Sequence, residues 1–179
     1  SFKVEGRMKT ALYVASVART YRIAIDDYLE SPDKYRSRMD WYREEIAKCT
    51  YRQFTTGFYF GKPDENTQIY DSNTYVNEYI YLGIVEDNPG EVKREDGRTK
   101  TGNFALITQR NKFCTGDSVE IMKPDGRNVI TRVLSMTTED GKEVDSAPHP
   151  QQILYIELED PVEVYDLIRV HNKVNEEAE

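Results

Sequence analysis

The spacing of apolar residues changes period once along the chain. From about Met8 to Leu29, apolar positions recur three and four apart: Val14, Val17, Ala18, Tyr21, Ala24, Ile25, Tyr28 and Leu29. That spacing predicts a helix with one apolar stripe, and with Arg19, Arg22, Asp26 and Asp27 on the opposite, solvated side. Ser31-Pro32 closes this helix and opens a shorter one, Ser31 as cap and Pro32 in the first turn, with Met39, Tyr42, Ile46 and Cys49 on one face. From Tyr79 onward the period falls to two. Strands are predicted at Tyr79–Glu86, Gly102–Gln109, Asp117–Lys123, Val129–Thr137, Gln152–Leu158 and Asp166–Val170. Gly116-Asp117, Pro124-Asp125-Gly126 and Asp140-Gly141 supply turns between them. No helical period interrupts the series, which favours an antiparallel barrel over a parallel sheet.

The expected fold is therefore α+β, with an N-terminal segment of two helices followed by a small six-stranded antiparallel β-barrel. Its expected divisions are a helical part over 1–62, a polar linker over 63–78, the barrel over 79–171 and a frayed acidic tail over 172–179. Phe2 and Val4 alternate with polar neighbours, so Ser1–Glu5 reads as a short strand. Tyr51–Pro63 holds five aromatics; packing of a connecting segment is one reading, base stacking the other. Asp87–Lys100 is charged and reads as a long exposed hairpin connection.

Charge adds an asymmetry. The net charge is −8, but residues 1–62 hold 12 Lys/Arg against 8 Asp/Glu, a balance of +4, and the remainder carries −12. A negative barrel repels phosphate at long range, so only the helical part has a favourable sign for nucleic acid. The apolar runs are far shorter than the ~20 residues that cross a bilayer, and the opening Ser-Phe-Lys-Val-Glu lacks an apolar leader. A cytoplasmic fragment of a longer protein is expected. Cys49 and Cys114 lack zinc-ligand spacing and read as free thiols.

Candidate chemistry is sparse. Lys3, Glu5 and Arg7 would share one face of a strand, with Lys9 following, a set able to bind an anion or position an acid or base. An ion-paired strand edge explains the same spacing. Arg110 and Lys112 flank Asn111 on a turn rim and could contact phosphate oxygens. His149, between Pro148 and Pro150, reads as a loop residue. No nucleophile–base signature, phosphate-binding loop or metal motif occurs, so no catalytic residue and no metal ligand is expected.

Four separated stretches carry a resemblance. SFKVEGRMKTALYVASVARTYRIAID is similar to the segment closing the catalytic domain of the collagenase-like peptidase family U-32. FTTGFYFGKP, QRNKFCTGDSVEIMKPDGR and APHPQQILYIELEDPVEVYDLIR resemble that family's C-terminal region, in the same order. The resemblance implies a catalytic domain upstream in the same chain and a terminal barrel similar to those of translation factors. It implies either peptidase activity on collagen-like substrates or a part in tRNA or rRNA hydroxylation, with an iron–sulfur cluster held upstream and no cofactor in this fragment. Lys3, Glu5 and Arg7 match the family's SFK-x-EGR motif, which implies that they face the parent's active site. The expected role is an accessory module positioning RNA or a protein substrate. Direct contribution to peptidase activity and a dimerisation role through Phe54–Phe60 remain as alternatives.

Overall fold

The computed structural model describes residues 3–49, 59–62 and 78–172. Helix α1 runs over Ala11–Glu30, with Thr10 as its cap accepting a hydrogen bond from the Tyr13 amide. It starts later than the apolar spacing suggests because a turn, closed by the Lys9 amide on the Gly6 carbonyl, occupies the preceding residues. Ser31 caps α2 (Pro32–Ser37), its hydroxyl accepting from the Asp33 amide. The expected second helix is in two pieces. Arg38 leaves helical geometry at φ −102°, ψ 10°, and α3 resumes over Met39–Ala47.

All six expected strands form. They are β1 (Tyr79–Asp87), β4 (Asn103–Thr108), β5 (Ser118–Met122), β6 (Asn128–Thr138), β8 (Ile153–Leu158) and β9 (Leu167–His171). Their order is β5-β9-β1-β4-β8-β6, and β6 pairs back onto β5, so every pairing is antiparallel and the ring closes on itself. Closure removes the unpaired edges that invite association. Alternation along each strand fills the interior: Val119 and Ile121, Ala105 and Ile107, Leu154 with Ile156 and Leu158, joined by Leu82, Val85, Met136 and Ile168. The turn at Gly116 takes φ +90°, conformational space that glycine enters without steric cost, and its amide bonds the Val133 carbonyl on β6.

Three short strands were not legible in the apolar pattern. β2 (Glu91–Lys93) and β3 (Thr99–Thr101) form a ribbon inside the expected exposed connection, and β7 (Glu143–Val144) adds to β6. The ribbon is not simply solvated: Val92 is buried, and Lys100 Nζ reaches Glu157 on β8 at 2.5 Å.

Two expectations are corrected. Residues 3–6 form no strand, so Lys3, Glu5 and Arg7 do not share a strand face; instead the Glu5 carboxylate accepts from the Arg7 amide in a local turn. Polar side chains so close in sequence satisfy nearby amides when no partner strand competes. The second correction concerns α1. Its supposed solvated residues Arg19 and Asp27 are buried, while Val14, Tyr21, Tyr28 and Leu29 of the apolar stripe are exposed. The ring receives Leu12, Ala15 and Ser16 instead, through Tyr81, Met122 and Leu167. The predicted linker 63–78 and tail 172–179 lie almost wholly outside the described residues, as does most of Tyr51–Pro63; Tyr59 and Phe60, which are described, are exposed and meet edge to face.

Candidate functional site

Five charged side chains join the helices to the ring. Arg169 on β9, fully buried, donates from Nε to Glu120 Oε1 on β5 at 2.7 Å and from Nη2 to Glu45 Oε2 on α3 at 3.3 Å. Arg19 on α1 also pairs with Glu45, and its Nη1 donates to the Lys123 carbonyl at 2.8 Å. Glu45 Oε1 accepts further bonds from Lys48 Nζ at 2.6 Å and Asn128 Nδ2 at 2.7 Å. Burial alone would push the Glu45 carboxyl upward, but the Lys48 hydrogen bond and the charges of Arg169, Lys48 and Arg19 outweigh it and hold it below the ordinary carboxylate value. A buried carboxylate so surrounded is ionised, and it locks the helices at one position on the ring. The sequence offers one faint signal of this network: Arg169 interrupts the apolar alternation of Leu167-Ile168-Arg169-Val170.

The exposed candidates are Lys3 and Arg7 before α1, and Arg110 and Lys112 after β4. Arg110 follows β4, its amide bonded to the Leu82 carbonyl, and its charge works against the upward push of burial on the Tyr81 hydroxyl. Tyr81 belongs to the buried cluster that also holds Leu12 of α1. Lys112 is exposed two residues on, and Asn111 Nδ2 fastens the loop to the Tyr81 carbonyl at 2.7 Å. Lys3 and Arg7, both exposed, precede the first turn of α1. The strand expected to align Lys3, Glu5 and Arg7 is missing among the described residues.

Beside α1 lies an apolar groove of about 590 Å³, lined by Ala15, Ala18, Arg22, Met122, Tyr165 and Leu167. Tyr165 is 70% exposed and holds φ at +76°, a region that costs a side-chain-bearing residue energy. A flat exposed ring is suited to stacking on a planar group. His149 lies elsewhere, in a polar hollow of about 510 Å³ with Asp140, Lys142, Asp145, Ser146 and Gln152. Among the described residues no group of three His, Cys, Asp or Glu is placed to hold a metal.

Both cysteines are free thiols. Cys49 is buried, donates to the Ile46 carbonyl and has its thiol pushed up by burial, the environment of an inert structural cysteine rather than a nucleophile. Two cysteines do not meet the four thiolates of an ordinary iron–sulfur cluster, so these residues do not fit that group. No helix among the described residues is long and apolar enough to cross a membrane.

Comparison with known proteins divides the chain where its architecture changes. Residues 1–69 match the description Peptidase family U32, and residues 78–169 match Peptidase family U32 C-terminal domain. The chain belongs to peptidase family U32. It is similar to the tRNA hydroxylation protein P1 of Bacillus subtilis, 33% identical over 94% of this chain and 37% of that protein. The tRNA hydroxylation protein P of Escherichia coli is 29% identical over 96% of this chain and 35% of its own length. An uncharacterized protease, MJ0090 of Methanocaldococcus jannaschii, is 39% identical over 72% of this chain and 33% of its own. The crystal structure of a Geobacillus thermoleovorans C-terminal domain carrying the U32 peptidase name covers 51% of this chain and 92% of that one, at 32% identity and a TM-score of 0.41. This U32 chain spans little more than a third of the curated relatives' lengths.

Proposed function

We propose that this chain is a non-catalytic accessory module that presents tRNA to the hydroxylation machinery of a longer cytoplasmic U32 protein. One observation carries the reading: the likeness to proteins named for tRNA hydroxylation runs through the helices and the ring together, over 94–98% of the chain. Arg110 and Lys112, with Lys3 and Arg7 near the start of α1, are the exposed cations suited to phosphate oxygens. The site does no chemistry by itself, and any iron–sulfur cluster is held by cysteines outside these residues. In a longer U32 protein carrying this chain, tRNA binding is expected to weaken steeply with salt, and Arg110→Glu with Lys112→Glu is expected to weaken it further and flatten the salt dependence. Binding that is indifferent to both the salt and the charge reversal sinks the proposal.

A peptidase reading has its own support in the likeness to MJ0090, which carries the name of a protease. In that reading the ring docks a collagen-like substrate. Gelatin cleavage by the longer protein, undiminished when Arg110 and Lys112 are reversed, favours it over the RNA reading.

A further inference from the structure

Helix α1 is buried along one face and presents apolar side chains on the opposite one. Leu12, Ser16 and Arg19 are buried toward the ring and α3. Tyr21 follows Leu12 by nine residues, about two and a half turns, and therefore projects the other way. Val14, Tyr21 and Tyr28 stand seven apart, about two turns each, so they share that second face. They are 42, 41 and 55% exposed, and Leu29 beside them is 74% exposed. Below this stripe lies an apolar hollow of about 400 Å³ lined by Tyr21, Ala24, Ile25, Tyr28, Leu29 and Tyr35. Its wall is fixed in advance: Tyr35 stacks on Tyr42 and meets Tyr28 edge to face, and the Tyr42 hydroxyl donates to Asp27 at 2.6 Å. Rigid aromatic walls lose little conformational freedom when something docks on them.

A helix buried on one side and apolar on the other suits a place between two bodies. The ring is one of them. We propose that the outer face of α1 and α2 seats the part of the U32 protein that the relatives carry and these residues do not include. Two findings select that occupant. The match to Peptidase family U32 takes in residues 1–69, so the helices go with that unit rather than with the C-terminal domain. The relatives are also long enough to supply it, since this chain spans only 33–41% of the six that it matches most fully. The covering surface is apolar and lies on the same polypeptide. The inference rests on the reading of the chain as one module of a longer protein.

The test compares the chain by itself with the same chain joined to the remainder of the Bacillus subtilis relative. In a Cys114→Ser background, a maleimide is expected to label Leu29→Cys about ten-fold more slowly in the joined protein, as for a residue in the dry centre of an interface. Glu139→Cys, exposed on the ring, is expected to label equally in both. Equal rates at Leu29→Cys overturn the proposal. In a second measurement the remainder is added in trans, where it is expected to co-elute with the wild-type chain and to lose it when Tyr28→Glu and Leu29→Glu are combined. Co-elution of both chains, or of neither, overturns the proposal. Protection that grows with protein concentration identifies a second copy as the occupant, and protection that needs tRNA identifies RNA; either result also overturns it. Protection of Leu29→Cys without any tRNA binding leaves the docking face standing and removes the substrate reading.

Discussion

Arg169 lies between Ile168 and Val170 on β9, yet its guanidinium is enclosed by Glu45 from a helix and Glu120 from another strand. Truncating it removes the guanidinium that bridges Glu45 and Glu120 in a buried junction. Arg169→Ala is expected to lower unfolding free energy by about 3–5 kcal/mol in urea titrations. Arg22→Ala, which removes the exposed pair with Asp26, is expected to leave the urea midpoint unchanged. Three paired carboxylates set the acid limit. Burial pushes Glu45, Asp27 and Glu157 up, but hydrogen bonds from Lys48, from Tyr42 and Lys34, and from Lys100 and Ser135, with the adjacent cations, leave all three below their ordinary values. A folded-state value below the unfolded one means that the unfolded chain binds protons first as pH falls. Stability is therefore complete at neutral pH and is expected to drop as pH passes below the unfolded values of 4.5 for Glu and 3.8 for Asp and through the depressed folded ones. Glu45→Gln is expected to shallow that slope in melts taken across the acid range. Tyr42, buried and donating to Asp27, is pushed up to about 12, so it stays a donor throughout.

Element by element, α1 separates what periodicity predicts from what packing selects. Val14, Tyr21, Tyr28 and Leu29 make the longer apolar stripe, and a helix on a lone core would bury it. Substituting Tyr28 or Leu29 by Ser is expected to change stability of the chain by less than about 0.5 kcal/mol, whereas Leu12→Ala, behind Tyr81 and Met122, is expected to cost about 2–5 kcal/mol. Thermal melts of the three variants decide the matter; equal losses would mean that both faces are buried in the chain as it stands. The turn between β5 and β6 makes a second element-scale contact. Gly126 holds φ +95°, and a Cβ there would come within 2.9 Å of Ile23 on α1 and 3.5 Å of Trp41 on α3. Gly126→Ala is expected to cost about 1–2 kcal/mol, through the left-handed backbone and through pushing the helices off the turn.

At the scale of the whole molecule, the ring is closed and the helices are pinned to it by Arg19, Glu45 and Arg169, so fluorescence of Trp41 and far-ultraviolet signals are expected to report one unfolding transition. Two separated transitions would show that the buried network does not couple the parts. Alternation of Val119 with Ile121 and of Leu154 with Ile156 and Leu158 was enough to locate ring strands, because a half-buried strand writes its inner face directly into the order of its residues. Cap and turn residues such as Ser31-Pro32 and Gly116 marked the ends for the same local reason. Strand order, the closing pair β5–β6, the burial of Arg19 and Asp27, and the meeting of Glu45 with Arg169 across 124 positions depended on the three-dimensional arrangement alone. A charge enters a core only when its partners are there to receive it, and for Arg169 those partners come from stretches of chain that have no local reason to meet.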